Sequence, residues 1–169
     1  MMLPPPPRRL SFVDGVPLLT GLGSVVVTHL PLGADWMPPV GPWFTAMVVF
    51  YWSLYAPRLM PYGVCLALGL MDDVLSGAPL GMSMLSLVLL RQLAYSQRRF
   101  LLNRPFALAW LSFAFSLLVV GAIEVFFLVR LELPTMGMTL LRLALSAFLF
   151  PPVYWVLARV QRAAGQVDA

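Results

Sequence analysis

The chain has 169 residues, 60% of them apolar and only 11% charged. Soluble domains carry about 25% charged residues, so the composition excludes a water-covered globule and points to an all-α integral membrane protein. The basic residues are all Arg, with a formal net charge of +4. They lie scattered at the ends of apolar segments, where they set topology, and this excludes a nucleic-acid surface.

Spans of ~20 apolar residues are expected of a membrane helix, and six segments come near that. The start, MMLPPPPRRL, reads as an extended Pro-rich tail over residues 1–12. Basic residues before an apolar run could also form a signal peptide. Leu32-Gly33-Ala34 is a poor cleavage site, so an uncleaved first span over Val13–Leu32 is the expectation. Its Pro17 suits a first turn. The second span, Val40–Ala56, is entered through Pro38, Pro39 and Pro42 and is rich in aromatics. The third, Leu59–Leu75, and the fourth, Pro79–Tyr95, are short. The fifth is Phe106–Val129, and the sixth, Gly137–Ala158, contains Pro151 and Pro152, which should kink it. Residues 13–158 thus form one membrane domain, and residues 159–169 a short tail with a frayed end.

Arg8 and Arg9, Arg58, the group Arg98, Arg99 and Arg104, and the pair Arg159 and Arg162 all fall on one side if there are six spans. The positive-inside rule then places both termini in the cytoplasm. Span three runs outward, so Asp72 and Asp73 lie near its outer end. Glu124 in span five and Arg142 in span six fall at a similar depth, given ~1.5 Å of rise per residue.

Ionisable groups inside a span are costly and mark functional positions by default. An Arg-carboxylate pair can be bidentate, and Arg142 is expected to pair with Glu124 or Asp73. Asp72 and Asp73 are ~100° apart on a helix, so one should face the bundle and the other the turn. A carboxylate at a helix C-terminus opposes the helix dipole. Capping by an Asp or by Ser76 in the following turn would offset that, with Gly77 relaxing the turn and Pro79 opening span four.

Other residues carry blander readings. His29 reads as interfacial or hydrogen-bonded. Trp36, Trp43, Trp52, Tyr51, Tyr55 and Tyr62 read as an interface belt. Gly21 with Gly23, and Gly63 with Ala67, would permit close helix packing. Arg91 is expected to snorkel. The single cysteine, Cys65, excludes an intrachain disulfide and a multi-Cys metal site. No phosphate loop, paired-His zinc motif or Ser/His/Asp set is present, so no catalytic residue, metal or cofactor is expected. An intramembrane aspartyl protease needs Asp residues facing one another from different helices, which adjacent Asp72 and Asp73 cannot do.

The segment Gly69-Leu70-Met71-Asp72-Asp73-Val74-Leu75-Ser76-Gly77-Ala78-Pro79-Leu80-Gly81 resembles the MreD family of rod shape-determining membrane proteins. That family carries a G-L-x-x-D-x-x-S/T-G-x-x-L-G signature, whose Asp falls on Asp73. Asp72 occupies a variable position. Gln97-Arg98-Arg99-Phe100, with Asn103-Arg104-Pro105-Phe106 and Trp110, resembles the cytoplasmic loop of the proteobacterial branch. The Pro-rich start and the Glu124/Arg142 pair match no family motif.

The resemblance implies a non-catalytic scaffold in the bacterial inner membrane. It would serve the elongation machinery, paired directly with MreC and sharing a complex with MreB, RodA and its class B transpeptidase. The implied fold is similar to the six-helix substrate-binding subunits of energy-coupling-factor transporters. That similarity supplies the rival reading, a lipid- or small-molecule-binding protein with a polar pocket between the outer halves of spans three, five and six.

Overall fold

The computed structural model describes residues 12–29, 42–77, 79–102, 104–130 and 136–167. Every regular element among them is a helix: α1 (Phe12–His29), α2 (Phe44–Tyr55), α3 (Tyr62–Ser76), α4 (Met82–Leu101), α5 (Phe106–Arg130) and α6 (Met136–Val167). The Pro-rich start, Leu32-Gly33-Ala34, Asp35, Trp36, Pro38, Pro39, Ala78, Asn103 and Pro134 lie outside the described residues. Stretches in α5 and α6, Phe106–Phe126 and Gly137–Ala163, are long and apolar enough to cross a membrane. Those in α1 and α2 are apolar but shorter, and α3 and α4 do not meet that measure. Several boundaries differ from the sequence reading: α2 starts at Phe44, α3 at Tyr62, and α4 runs from Met82 to Leu101. Pro17 sits beyond the first turn of α1, and α6 continues past Ala158 to Val167, through the region expected to be a frayed tail.

The arrangement follows from α2. Its residues Thr45 to Leu54 are all buried, and a helix that is apolar all round belongs inside a bundle. It packs on α1, α4 and α6, and the outer helices close around it in the order α1, α3, α4, α5, α6 and back to α1. The aromatics of this segment are therefore not an interface belt. Trp43, Tyr51 and Trp52 are buried. Phe50 packs edge-on against Phe113 and Phe150, which stack at 4.1 Å, and Tyr51, Tyr55 and Tyr154 cluster nearby.

At ~1.5 Å per residue α2 is roughly 18 Å long. Neighbouring side chains complete its ends. The Trp43 N–H donates to Ser146 Oγ of α6 at 2.7 Å. At the other end Arg98 Nε of α4 donates to the Leu54 carbonyl at 3.0 Å. The turn after α2 is held the same way: Arg91 Nε donates to the Met60 carbonyl at 2.6 Å while its guanidinium lies 3.8 Å over the Tyr62 ring. Arg91 is buried, so it does not snorkel. A turn carbonyl within its reach gives it a buried partner that a solvent-seeking reading overlooks.

The prolines of α6 leave the helix unbroken. Pro151 has no N–H for the carbonyl four residues before it, which is that of Ala147. Trp110 Nε1 of α5 supplies the missing donor at 2.8 Å. This contact also ties α5 to α6. Replacing Trp110 by Phe keeps an aromatic ring but removes the indole N–H and orphans that carbonyl, and should cost about 1–3 kcal/mol, read as a lowered unfolding midpoint in detergent.

Close helix approach occurs at Gly21, Gly69 and Gly121 and not at Gly23 or Gly63. A Cβ on Gly69 would stand 2.5 Å from Met84 Cα, and one on Gly121 would meet the Leu143 side chain; Gly23 and Gly63 have nothing within 4 Å. Gly69→Ala should therefore separate α3 from α4 and lower the yield of folded protein. Gly63→Ala should be tolerated, with both compared by size-exclusion profile and thermal melt.

Candidate functional site

The signature hairpin is built by backbone needs. Gly77 ends α3 with φ of 66°, and Gly81 precedes α4 with φ of 100°. Both values lie in the left-handed region that glycine enters at little cost. No residue at the start of α4 caps it with its own side chain. Asp73 does so from across the hairpin, its carboxylate accepting the N–H of Gly81 and of Ser83, each at 2.8 Å. This resolves the dipole conflict expected for Asp73: although it sits at the C-terminal end of α3, its charge rests on the N-terminus of α4, where an anion is favoured. Ser76 Oγ donates to the Asp73 carbonyl at 3.3 Å. Pro79 precedes α4 rather than opening it, and its carbonyl accepts the Met82 N–H. Leu70 and Leu80 are exposed.

Asp72 points the other way and is fully buried. Arg142 Nη2 lies 3.5 Å from its Oδ2, and His29 Nε2 lies 3.7 Å from its Oδ1. The expected pairing of Arg142 with Glu124 or Asp73 is thus corrected: its ion-pair partner is Asp72, the residue at the variable position of the signature. Asp73 is committed to the start of α4, and Arg142 of α6 reaches Asp72 on the other face of α3; Glu124 accepts a hydrogen bond from Ser86 Oγ at 2.8 Å. Arg142 also lies 4.5 Å over the Trp43 ring, and its carbonyl accepts from Ser146 Oγ at 2.7 Å.

His29 Nδ1 bonds the Val25 carbonyl at 2.9 Å. With that nitrogen occupied, the ring attracts Asp72 fully only when it carries a second proton. Neither Asp72 oxygen has a hydrogen bond among the described residues. One polar layer therefore holds the ends of α1 and α3 and the starts of α2, α4 and α6. Glu124 lies within electrostatic range of Arg142, Asp72 and Asp73.

The other end of the bundle is basic. Arg98 lies by the end of α2, and Tyr51 Oη donates to Gln161 Oε1 at 2.6 Å. Ser112 at the start of α5 donates to Gln97 near the end of α4. Arg58, Arg99, Arg104, Arg159 and Arg162 are exposed.

Cavities open on the surface among the described residues. One of about 430 Å³ is apolar and lies among α1, α2 and α6, with Thr20 and Ser24 beside Phe44, Val153 and Leu157. Another, of about 270 Å³, lies between α4 and α5 beside Ser86 and Glu124. Between α3 and α6, where a polar pocket was expected, Arg142 reaches Asp72.

These features define an all-helical membrane protein whose intramembrane charges serve helix ends and helix pairing. A family model described as rod shape-determining protein MreD matches residues 18–160, and the chain belongs to the MreD family. No curated protein and no solved structure matches the chain.

Arg142→Met should leave Asp72 as an unpaired buried charge and cost about 3–5 kcal/mol. Adding Asp72→Leu should recover much of that loss. A double-mutant cycle on the thermal midpoint reads the coupling, and Glu124→Gln in place of Asp72→Leu should give little recovery.

Proposed function

We propose that this protein is a non-catalytic scaffold of the wall-elongation machinery, which pairs with MreC and regulates how that partner promotes side-wall peptidoglycan synthesis. Membership of the MreD family carries the reading, because it ties the chain to rod shape determination. MreB, RodA and its class B transpeptidase belong to the same complex, reached through MreC. The bundle spans the inner membrane six times with both termini in the cytoplasm. Support comes from the alternation of helix ends between a carboxylate-rich layer and an Arg-rich layer, in line with the positive-inside rule.

In this reading the signature is a device for shape. Gly69, Asp73, Gly77 and Gly81 fix the α3–α4 hairpin, and Leu70 and Leu80 stand on its outside. The surface MreC meets is then as rigid as the cap that Asp73 provides. Depletion should round the cells. Asp73→Ala should remove two charge-assisted hydrogen bonds, lower the thermal midpoint, and reduce co-purification of MreC. Normal rod shape with an undiminished MreC yield in that variant would refute the role given to Asp73.

A second reading, binding of a lipid, is favoured by the 430 Å³ cavity among α1, α2 and α6. Its apolar lining suits an acyl chain rather than the polar small molecule of a transporter. Native mass spectrometry from mild detergent should then retain a phospholipid. Val153→Trp, which fills the cavity, should release it.

A further inference from the structure

Among the described residues the polar layer is short of positive charge. Asp73 is matched by the start of α4 and Asp72 by Arg142. Glu124 is only 6% exposed, yet its one hydrogen bond among the described residues is the Ser86 hydroxyl on Oε1. A carboxylate has about four acceptor sites, and an unmatched one buried in a membrane protein is costly. Its other oxygen borders the 270 Å³ cleft between α4 and α5, whose walls include Leu80, Met82, Leu85 and Ile123. The cleft is therefore a largely apolar slot with a single carboxyl group at one end. Leu80, 74% exposed, and Leu85 flank it.

We propose that this cleft docks a helix of the MreC partner, and that a Lys or Arg side chain of that helix reaches down to the free oxygen of Glu124. The inference rests on the MreC pairing above and names the surface for it. Charge complementarity favours a side-chain cation over a lipid headgroup. An ethanolamine or choline headgroup carries a phosphate beside its ammonium, and among the described residues the cleft has no basic side chain to receive it. Arg142, the cation of this layer, is held by Asp72 and Trp43. A guanidinium or ammonium on an apolar helix meets the reverse difficulty, since it needs an anion at the same depth.

The test places a photoreactive residue at Leu80 or Leu85 in the full chain, co-expressed with MreC, with Phe148 on α6 as the distant control. Cross-links to MreC are expected from Leu80 and Leu85 and not from Phe148. The linked MreC residue should lie within one helical turn of a Lys or Arg. Glu124→Gln should lower the cross-link yield about tenfold, as for loss of one partner of a buried charge pair, while Glu124→Asp retains part of it. Phospholipid adducts in place of MreC, a linked site with no nearby Lys or Arg, or an undiminished yield in a folded Glu124→Gln variant would each overturn the proposal. Failure of MreC to co-purify with the unaltered chain would instead overturn the pairing itself.

Discussion

In a membrane interior a backbone N–H or C=O without a partner costs several kcal/mol, and helix ends expose such groups by construction. That constraint organises this chain. Asp73 completes the start of α4, Ser146 completes the start of α2, Arg98 accepts the task at the end of α2, and Arg91 holds the turn that follows. In each case the side chain comes from a different helix or from across a turn. The same bonds that finish individual helices therefore also fix how the helices sit together. The short central helix is tolerable only because its neighbours supply both of its ends.

Most charged groups of the interior are explained by this single need. Asp73 is a cap displaced by one hairpin. Asp72 and Arg142 hold α3 to α6, with His29 of α1 3.7 Å from the same carboxylate. Glu124 stands apart because its bond to Ser86 ties α4 to α5 but leaves an oxygen uncommitted. A membrane protein that works without catalysis can still need buried charge, here for geometry and for one position where the geometry is incomplete.

The turn at Gly77 and capping by an aspartate were legible in the sequence because their demands are local. The close approach at Gly69 was not, since it depends on where Met84 of the next helix falls. The two neighbouring aspartates were separable by direction, since 100° of helical turn divides them, but not by partner. Nothing in spacing says which face of α3 meets α6, so Arg142 was assigned to the wrong carboxylate. The aromatics of α2 misled for a related reason. Trp and Tyr suit an interface, but they also fill the centre of a bundle, and composition does not separate the two when a segment is apolar all round. Trp110 shows the opposite case: the prolines announced an orphan carbonyl, while the donor that meets it lies 37 residues away in sequence.

The hairpin also bears on how the chain enters the bilayer. On the six-span topology proposed above, α3 inserted alone would carry two aspartates with no counterpart, at up to about 3 kcal/mol each at mid-membrane on an insertion scale and less near its ends. Asp73 gains its match only when the first turn of α4 exists, and the left-handed glycines bring that turn within reach at once. The favourable unit of insertion is thus the pair α3–α4, delivered as one folded hairpin, with Asp72 waiting for α6 to arrive. Biogenesis of this protein would then be ordered by the sequence of charge neutralisation rather than by the hydrophobicity of successive segments.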